Sequence, residues 1–435
     1  MTSVGSWQEQ LATARMPKPG AERWLFFGQW AIAIAFLVTV ATMLGNRNDL
    51  DIFLAASRDL WAGRDIYGIT YFDGYHYYYS SFFAMLVTPL SWLPAALAKA
   101  IWGALILLAV WRSYRIIASA FFPASLSSVQ RNAIGFFTFL FLFQAIRDNL
   151  NSSQVTAFVL WSCIEGLHQV RHHRPLLGAL CIAVGLDMKL LPLVLLPYLV
   201  YRREWKAAIM VGATVVVLTL LPALFLGWQQ NIDLLASRGQ LLQPTDPKHI
   251  LDADERSFIA LSSLISAYFS ADINDPHVPD LPRTIVALDL GTIAVILMIG
   301  RALLVLFFLR FLLWPPFVAA RSSLHVWWEC SYLLLCTVLI FPHQQYYAML
   351  LGMPAIAWIT CTTVVRWTTE RSAMTRWLVL CAMVYLITNA GLLVGEFSYV
   401  YTHYKTTSFM VFVLIGMLWW CKPEKLEPVQ PSTIQ

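Results

Sequence analysis

Charge is what this 435-residue sequence has least of: only 13% is Asp, Glu, Lys or Arg, against 58% hydrophobic. A soluble domain carries about a quarter charged residues, so a water-soluble fold is excluded. Short segments of alternating hydrophobicity are also lacking, which excludes a β-barrel reading. The apolar runs are helix-length instead, and in lipid a helix satisfies its own backbone. The expectation is an all-α polytopic membrane bundle. No leader pattern opens the chain: residues 1–23 are polar and the run after them is long enough to span, so no cleavable signal is expected. The seven cysteines sit in or at the ends of apolar runs without metal-ligand spacing, which predicts free thiols. With no metal-ligand cluster in the sequence, neither a metal nor another cofactor is expected. No internal repeat is visible.

The charge that is present is unevenly placed. The net +5 does not call for nucleic acid, because Lys and Arg gather in short loops between apolar runs, as cytoplasmic loops do. Those loops are Arg112–Arg115, Arg171–Arg174, Arg202–Lys206, Arg366–Arg376 and Lys422–Lys425. Arg15, Lys18 and Arg23 put the N-terminus inside as well. The reading is a cytoplasmic segment 1–23, a transmembrane domain 24–421 and a cytoplasmic tail 422–435. The first helix runs from about Trp24 to Leu44, which leaves Asp49 on the extracytoplasmic side. Residues 49–63 space Ile52, Phe53, Ala56, Leu60 and Trp61 as one apolar helical face, predicting a helix on the membrane surface. The tyrosines Tyr67, Tyr71, Tyr75, Tyr77, Tyr78 and Tyr79 read as an aromatic belt at headgroup level or, for one or two of them, as a sugar-stacking surface. The whole pattern predicts about twelve spans. Within 80–120, Pro89 and Pro94 interrupt the run, leaving room for one crossing plus a surface helix. Residues 46–79 and 228–284 are the two outer loops, the second net acidic. Segments 174–188 and 190–202 are short and meet at Asp187-Met188-Lys189, a broken pair of the kind that lines a cavity.

Charged groups at membrane depth usually face a cavity or a partner. In this topology one set gathers on the outer side: Asp49 and Asp51, Arg147 with Asn149 and Gln154, Lys189, Arg256 and His343. A carboxylate beside cations and amides suits an anionic lipid headgroup and a polyhydroxyl acceptor. The carboxylate takes a proton from a hydroxyl, and the cations hold a phosphate leaving group. Each residue also has a plainer reading. Asp49 would cap the surface helix, Lys189 would pair with Asp187, Arg147 would anchor at the interface, and Asn149 and Gln154 would only brace a helix hairpin.

Several stretches resemble the GT-C polytopic glycosyltransferases, in particular glycosyltransferase family 87. Asp49-Leu50-Asp51-Ile52-Phe53-Leu54-Ala55-Ala56, followed by Gly63 and Tyr67, is similar to that family's first outer loop. Tyr79-Ser80-Ser81-Phe82 with Pro89-Leu90 resembles its Tyr-x-Pro run, with Ser81 in place of the proline. Asn149-Leu150 with Gln154 looks like its Asn-Leu-x-x-Gly-Gln segment, with Ser153 in place of the glycine. Lys189 with Pro192 and Arg202-Arg203-Glu204-Trp205 resemble later motifs, and Pro342-His343 with Tyr346-Tyr347 a late one. The resemblance implies a GT-C bundle and transfer of a hexose, mannose-like, from a polyprenyl-phosphate donor to a lipid or glycan acceptor at a bacterial inner membrane. It makes Asp49 the base; together with the outer-side set, the expected substrate-binding residues are Asp51, Tyr79, Arg147, Asn149, Gln154, Lys189, Arg256 and His343. The alternatives are a transporter or flippase of lipid-linked sugars and a non-catalytic assembly subunit.

Overall fold

A computed structural model describes residues 19–242, 251, 258–270, 281–312, 316–318, 322–369, 371–393 and 395–426. Arg256, the basic residues at 15 and 18, and most of the acidic stretch of the second loop lie outside these residues. The described chain is helical throughout; extended pairing is limited to two isolated bridges, Tyr71 with Tyr75 and Phe258 with Gln345. All seven cysteines are free thiols.

Among the described residues six helices are long and apolar enough to cross a bilayer: Glu22–Met43, Ala95–Phe121, Trp205–Leu226, Leu290–Phe311, Ser323–Ile340 and Tyr346–Trp367. The count rises to seven if Ser128–Phe141 and Phe143–Asn151, bent by 53° at Leu142, form one span. The expected figure of about twelve is therefore not reached by length and composition. The difference arises because apolar runs are broken. Residues 80–95 hold two short helices, Ser81–Leu86 and Thr88–Ser91, ahead of the single long helix Ala95–Phe121. Pro175–Met188 ends at an extended Lys189, and a 3-10 turn precedes Leu195–Tyr201.

The apolar helices divide by what covers them. Ser323–Ile340 and Tyr346–Trp367 are each 83% buried and carry Trp327, Trp328, Tyr332 and Trp358, the centre of the core. Glu22–Met43 is only 6% buried and Leu290–Phe311 22%, with Trp24, Phe27, Leu303 and Leu306 exposed. Apolar surface on that scale is stable facing lipid and unstable facing water.

Chain direction sorts the polar groups into two ends. Asp49, Gln154, Lys189 and Tyr347 stand together at one end. Most of the basic stretches follow helices that run away from it. Arg112–Arg115 differs from expectation: it lies inside the Ala95–Phe121 helix and is not a loop. Arg112 there pairs with Glu165 at 2.8 Å. At the same far end Arg202 is bound to Glu329, whose carboxylate also accepts from Tyr198 at 2.8 Å. Arg202 further donates to the Leu312 carbonyl at 2.5 Å.

Candidate active site

The site begins with the helix Asp49–Trp61. Its amphipathic spacing buries Leu50, Phe53, Leu54, Ala56 and Leu60. These pack under the protein and not merely on a membrane surface, while Trp61, expected on the same face, is 46% exposed and donates to Thr88 at 2.8 Å. Asn48 is the N-cap residue. Its N–H donates to Asp51 Oδ2 at 2.9 Å, half of a capping box. Lys99 Nζ lies 2.9 Å from the same carboxylate. The capping role open to Asp49 thus falls to Asp51, and the structure brings Asp51 to Lys99 and the helix start.

Asp49 faces elsewhere. Its backbone N–H donates to the Ser152 carbonyl at 3.2 Å, and its Oδ2 accepts from the Gln154 side-chain amide. Gln154 Oε1 in turn accepts from Lys189 Nζ at 3.2 Å. The Lys189 ammonium sits over the Tyr347 ring, 4.9 Å from its centroid, a cation–π contact. Tyr347 is fixed from the far side, because Asn149 Nδ2 donates to its carbonyl at 2.9 Å. Asn149 thus ties the hairpin to the Tyr347 backbone, and Gln154 contacts both charged side chains.

The local backbone explains how Gln154 is aimed. The helix Phe143–Asn151 ends in a turn where Ser153 adopts φ +50, the left-handed region that favours glycine. Gln154 N–H then donates back to the Asn149 carbonyl at 2.9 Å, and the Trp102 indole holds the Ser153 carbonyl at 3.0 Å. Ser153 occupies the position of glycine in the resembled pattern, and the turn shows why glycine suits it.

Asp187 and Lys189 do not pair. Asp187, in the last turn of its helix, accepts from Ser80 Oγ, while Lys189 turns to Gln154 and Tyr347. Ser80 also accepts from Phe83 N–H at 2.9 Å as the cap of the Ser81–Leu86 helix. This anchors neighbouring Tyr79 at the site. The Tyr79 ring packs on Phe53 at 4.8 Å. Burial, with the Asp49 carboxylate and the Tyr347 phenol nearby, pushes its hydroxyl well above the ordinary value, so it remains a phenol. Tyr67, Tyr71 and Tyr77 are buried too, and only Tyr75 and Tyr78 of the run are exposed. The run is mostly core, not belt, because Tyr67 and Tyr77 spend their hydroxyls on the carbonyls of Tyr79 and Ser80 at 2.9 and 2.8 Å.

Arg147 is exposed, on a helix whose buried face carries Asn149 and Leu150. His343 adopts φ +56 on the turn leading to Tyr347, its ring edge-on to Phe258 at 5.4 Å. Lys99 is what residue spacing missed, since it shows no local pattern and its partner is distant in sequence; Tyr347 entered only with the late motif, without a role as the platform under Lys189.

A carboxylate, an amide, an ammonium and an aromatic face thus form one line. A carboxylate so placed can accept a proton, and an ammonium so placed can hold an anion. Comparison with known proteins agrees in class. No curated protein matches the chain. The sequence model of glycosyltransferase family 87 matches residues 77–323, more than half of the chain. Tyr79, Arg147, Asn149, Gln154 and Lys189 fall inside that stretch, Asp49 ahead of it, and His343 and Tyr347 beyond it. The chain belongs to glycosyltransferase family 87 and is a multi-pass membrane glycosyltransferase.

Proposed function

We propose that this enzyme transfers a mannose-like hexose from a polyprenyl-phosphate sugar to a lipid or glycan acceptor, on the extracytoplasmic face of a bacterial inner membrane. Asp49 is the general base. It takes the proton of the acceptor hydroxyl as that oxygen attacks the anomeric carbon. The bond from the anomeric carbon to the phosphate oxygen breaks, and polyprenyl phosphate leaves with the electron pair. The phosphate is already anionic, so no acid need protonate it if cations hold it. Lys189 supplies one charge, with Arg256 and His343 as further contributors. Tyr79 lines the sugar position. The placement of the basic stretches at the end away from Asp49 supports the sidedness.

The observation that carries this reading is the link Asp49–Gln154–Lys189, which sets a carboxylate and a cation one amide apart. The test is Asp49→Asn, purified in detergent and given labelled polyprenyl-phosphate mannose with a membrane lipid extract as the source of acceptor. A positioned general base contributes roughly 10²–10⁴-fold, and a loss of that order is expected. A folded variant with wild-type turnover would sink the assignment. A wild-type enzyme that ignores this donor and uses a nucleotide sugar would sink the donor class.

A further inference from the structure

We infer that Gln154 is a positioning residue for the transfer: its side-chain amide is interposed between base and cation and keeps them from neutralising each other. The inference rests on Asp49 being the base.

A primary amide is neutral, with donors at one end and an acceptor at the other. Gln154 uses both. Its Nε2 donates to the Asp49 carboxylate, and its Oε1 accepts from Lys189 Nζ at 3.2 Å. The neighbours dictate this orientation, since a carboxylate only accepts and an ammonium only donates. The side chain is 5% exposed and its backbone is held at Asn149, so it has little freedom to swing away. On its other side Lys189 rests on the Tyr347 ring, not on an acid. Among the described residues no ion pair joins Lys189 to a carboxylate.

Without the amide, attraction in a water-poor site would draw the two charges into direct contact. A carboxylate bound to an ammonium is a weaker base, and an ammonium bound to a carboxylate has fewer donors for a phosphate. The amide passes a hydrogen bond to each group and charge to neither. It thereby keeps the two from closing into a direct ion pair.

Two variants test this with polyprenyl-phosphate mannose as donor. Gln154→Glu keeps shape and length but sets an acid against Asp49. Two adjacent carboxylates share a proton, so the acid limb of the kcat/KM–pH profile should move up by about one unit or more. Gln154→Met keeps length and removes both bonds; kcat should fall about tenfold or more, as a hydrogen bond to a charged group is lost. A purely structural brace would lower the stability of Gln154→Met and leave the kcat of its folded fraction at the wild-type value. An unmoved limb in Gln154→Glu overturns the inference, and so does wild-type kcat in Gln154→Met. Should the glutamate variant fail to fold, the methionine variant decides. Asp49→Asn is run in parallel. If it turns over normally, the base assignment fails and takes this inference with it. If it is inactive and the limb has not moved, only the role of Gln154 falls.

Discussion

Lys99 Nζ lies 2.9 Å from the Asp51 carboxylate and 2.7 Å from the Asn46 carbonyl. This ties the start of the first long core helix to the cap of the Asp49–Trp61 helix. Lys99 is 6% exposed at its side chain and Asp51 18%, so removing one partner leaves a poorly solvated charge. Lys99→Met should cost roughly 2–4 kcal/mol, read as a lower unfolding temperature in detergent. Asp51→Asn should lose less, and should keep most of the turnover that Asp49→Asn abolishes. Equal loss of turnover in the two asparagine variants would show that the two acids are not divided as proposed.

Ser153 sits at φ +50 with its hydroxyl buried and unpartnered. A non-glycine residue there costs roughly 1–2 kcal/mol. Ser153→Gly should therefore raise the unfolding temperature while transfer activity stays near wild type. A drop in stability would mean that the serine side chain contributes packing worth more than the strain.

The ring of Tyr347 is what carries the Lys189 ammonium. Tyr347→Phe keeps that face and should leave donor KM nearly unchanged. Tyr347→Leu removes it; a partly desolvated cation–π contact is worth roughly 1–2 kcal/mol, so donor KM should rise by about fivefold to thirtyfold. Lys189→Met should raise it further. Donor titrations on the three variants check the order, and an equal effect of Phe and Leu would assign the role to the hydroxyl instead.

At the far end Glu329 is fully buried and held by Arg202 and Tyr198. Glu329→Gln leaves the guanidinium without its counter-charge, and a loss of roughly 3–5 kcal/mol is expected. Any variant that still folds should show an unshifted pH–rate profile, because the pair is remote from Asp49. A shifted profile would mean that the two ends are coupled.

The parts of this molecule that could be read from residue order are those where one local pattern decides. A long apolar run with a polar entry gives the Pro19–Met43 helix, and the spacing of Phe53, Ala56 and Leu60 gives the helix after it. A charge and Pro192 beside a short apolar run give the break at Lys189. The number of crossings was not legible, since a run of apolar residues looks the same whether it stays mostly uncovered, as Leu290–Phe311 does, or packs inside the protein, as Ser323–Ile340 does. Partners were not legible either. Asp187 is the nearest acid to Lys189 along the chain, yet an extended residue at the helix end turns the two side chains to different neighbours. The resemblance to family members brought Asn149, Gln154 and Lys189 forward together, but not the amide bridge that joins Lys189 to Asp49.

The stretch by which the family is recognised, residues 77–323, ends before Tyr347 and begins after Asp49. The matched portion and the proposed site are thus different lengths of chain. A fragment trimmed to the recognisable portion would keep its family signature, yet it would contain neither the proposed base nor the ring beneath the cation. Any homologue classified on that portion alone still has to be inspected at both flanks before it is credited with the same chemistry.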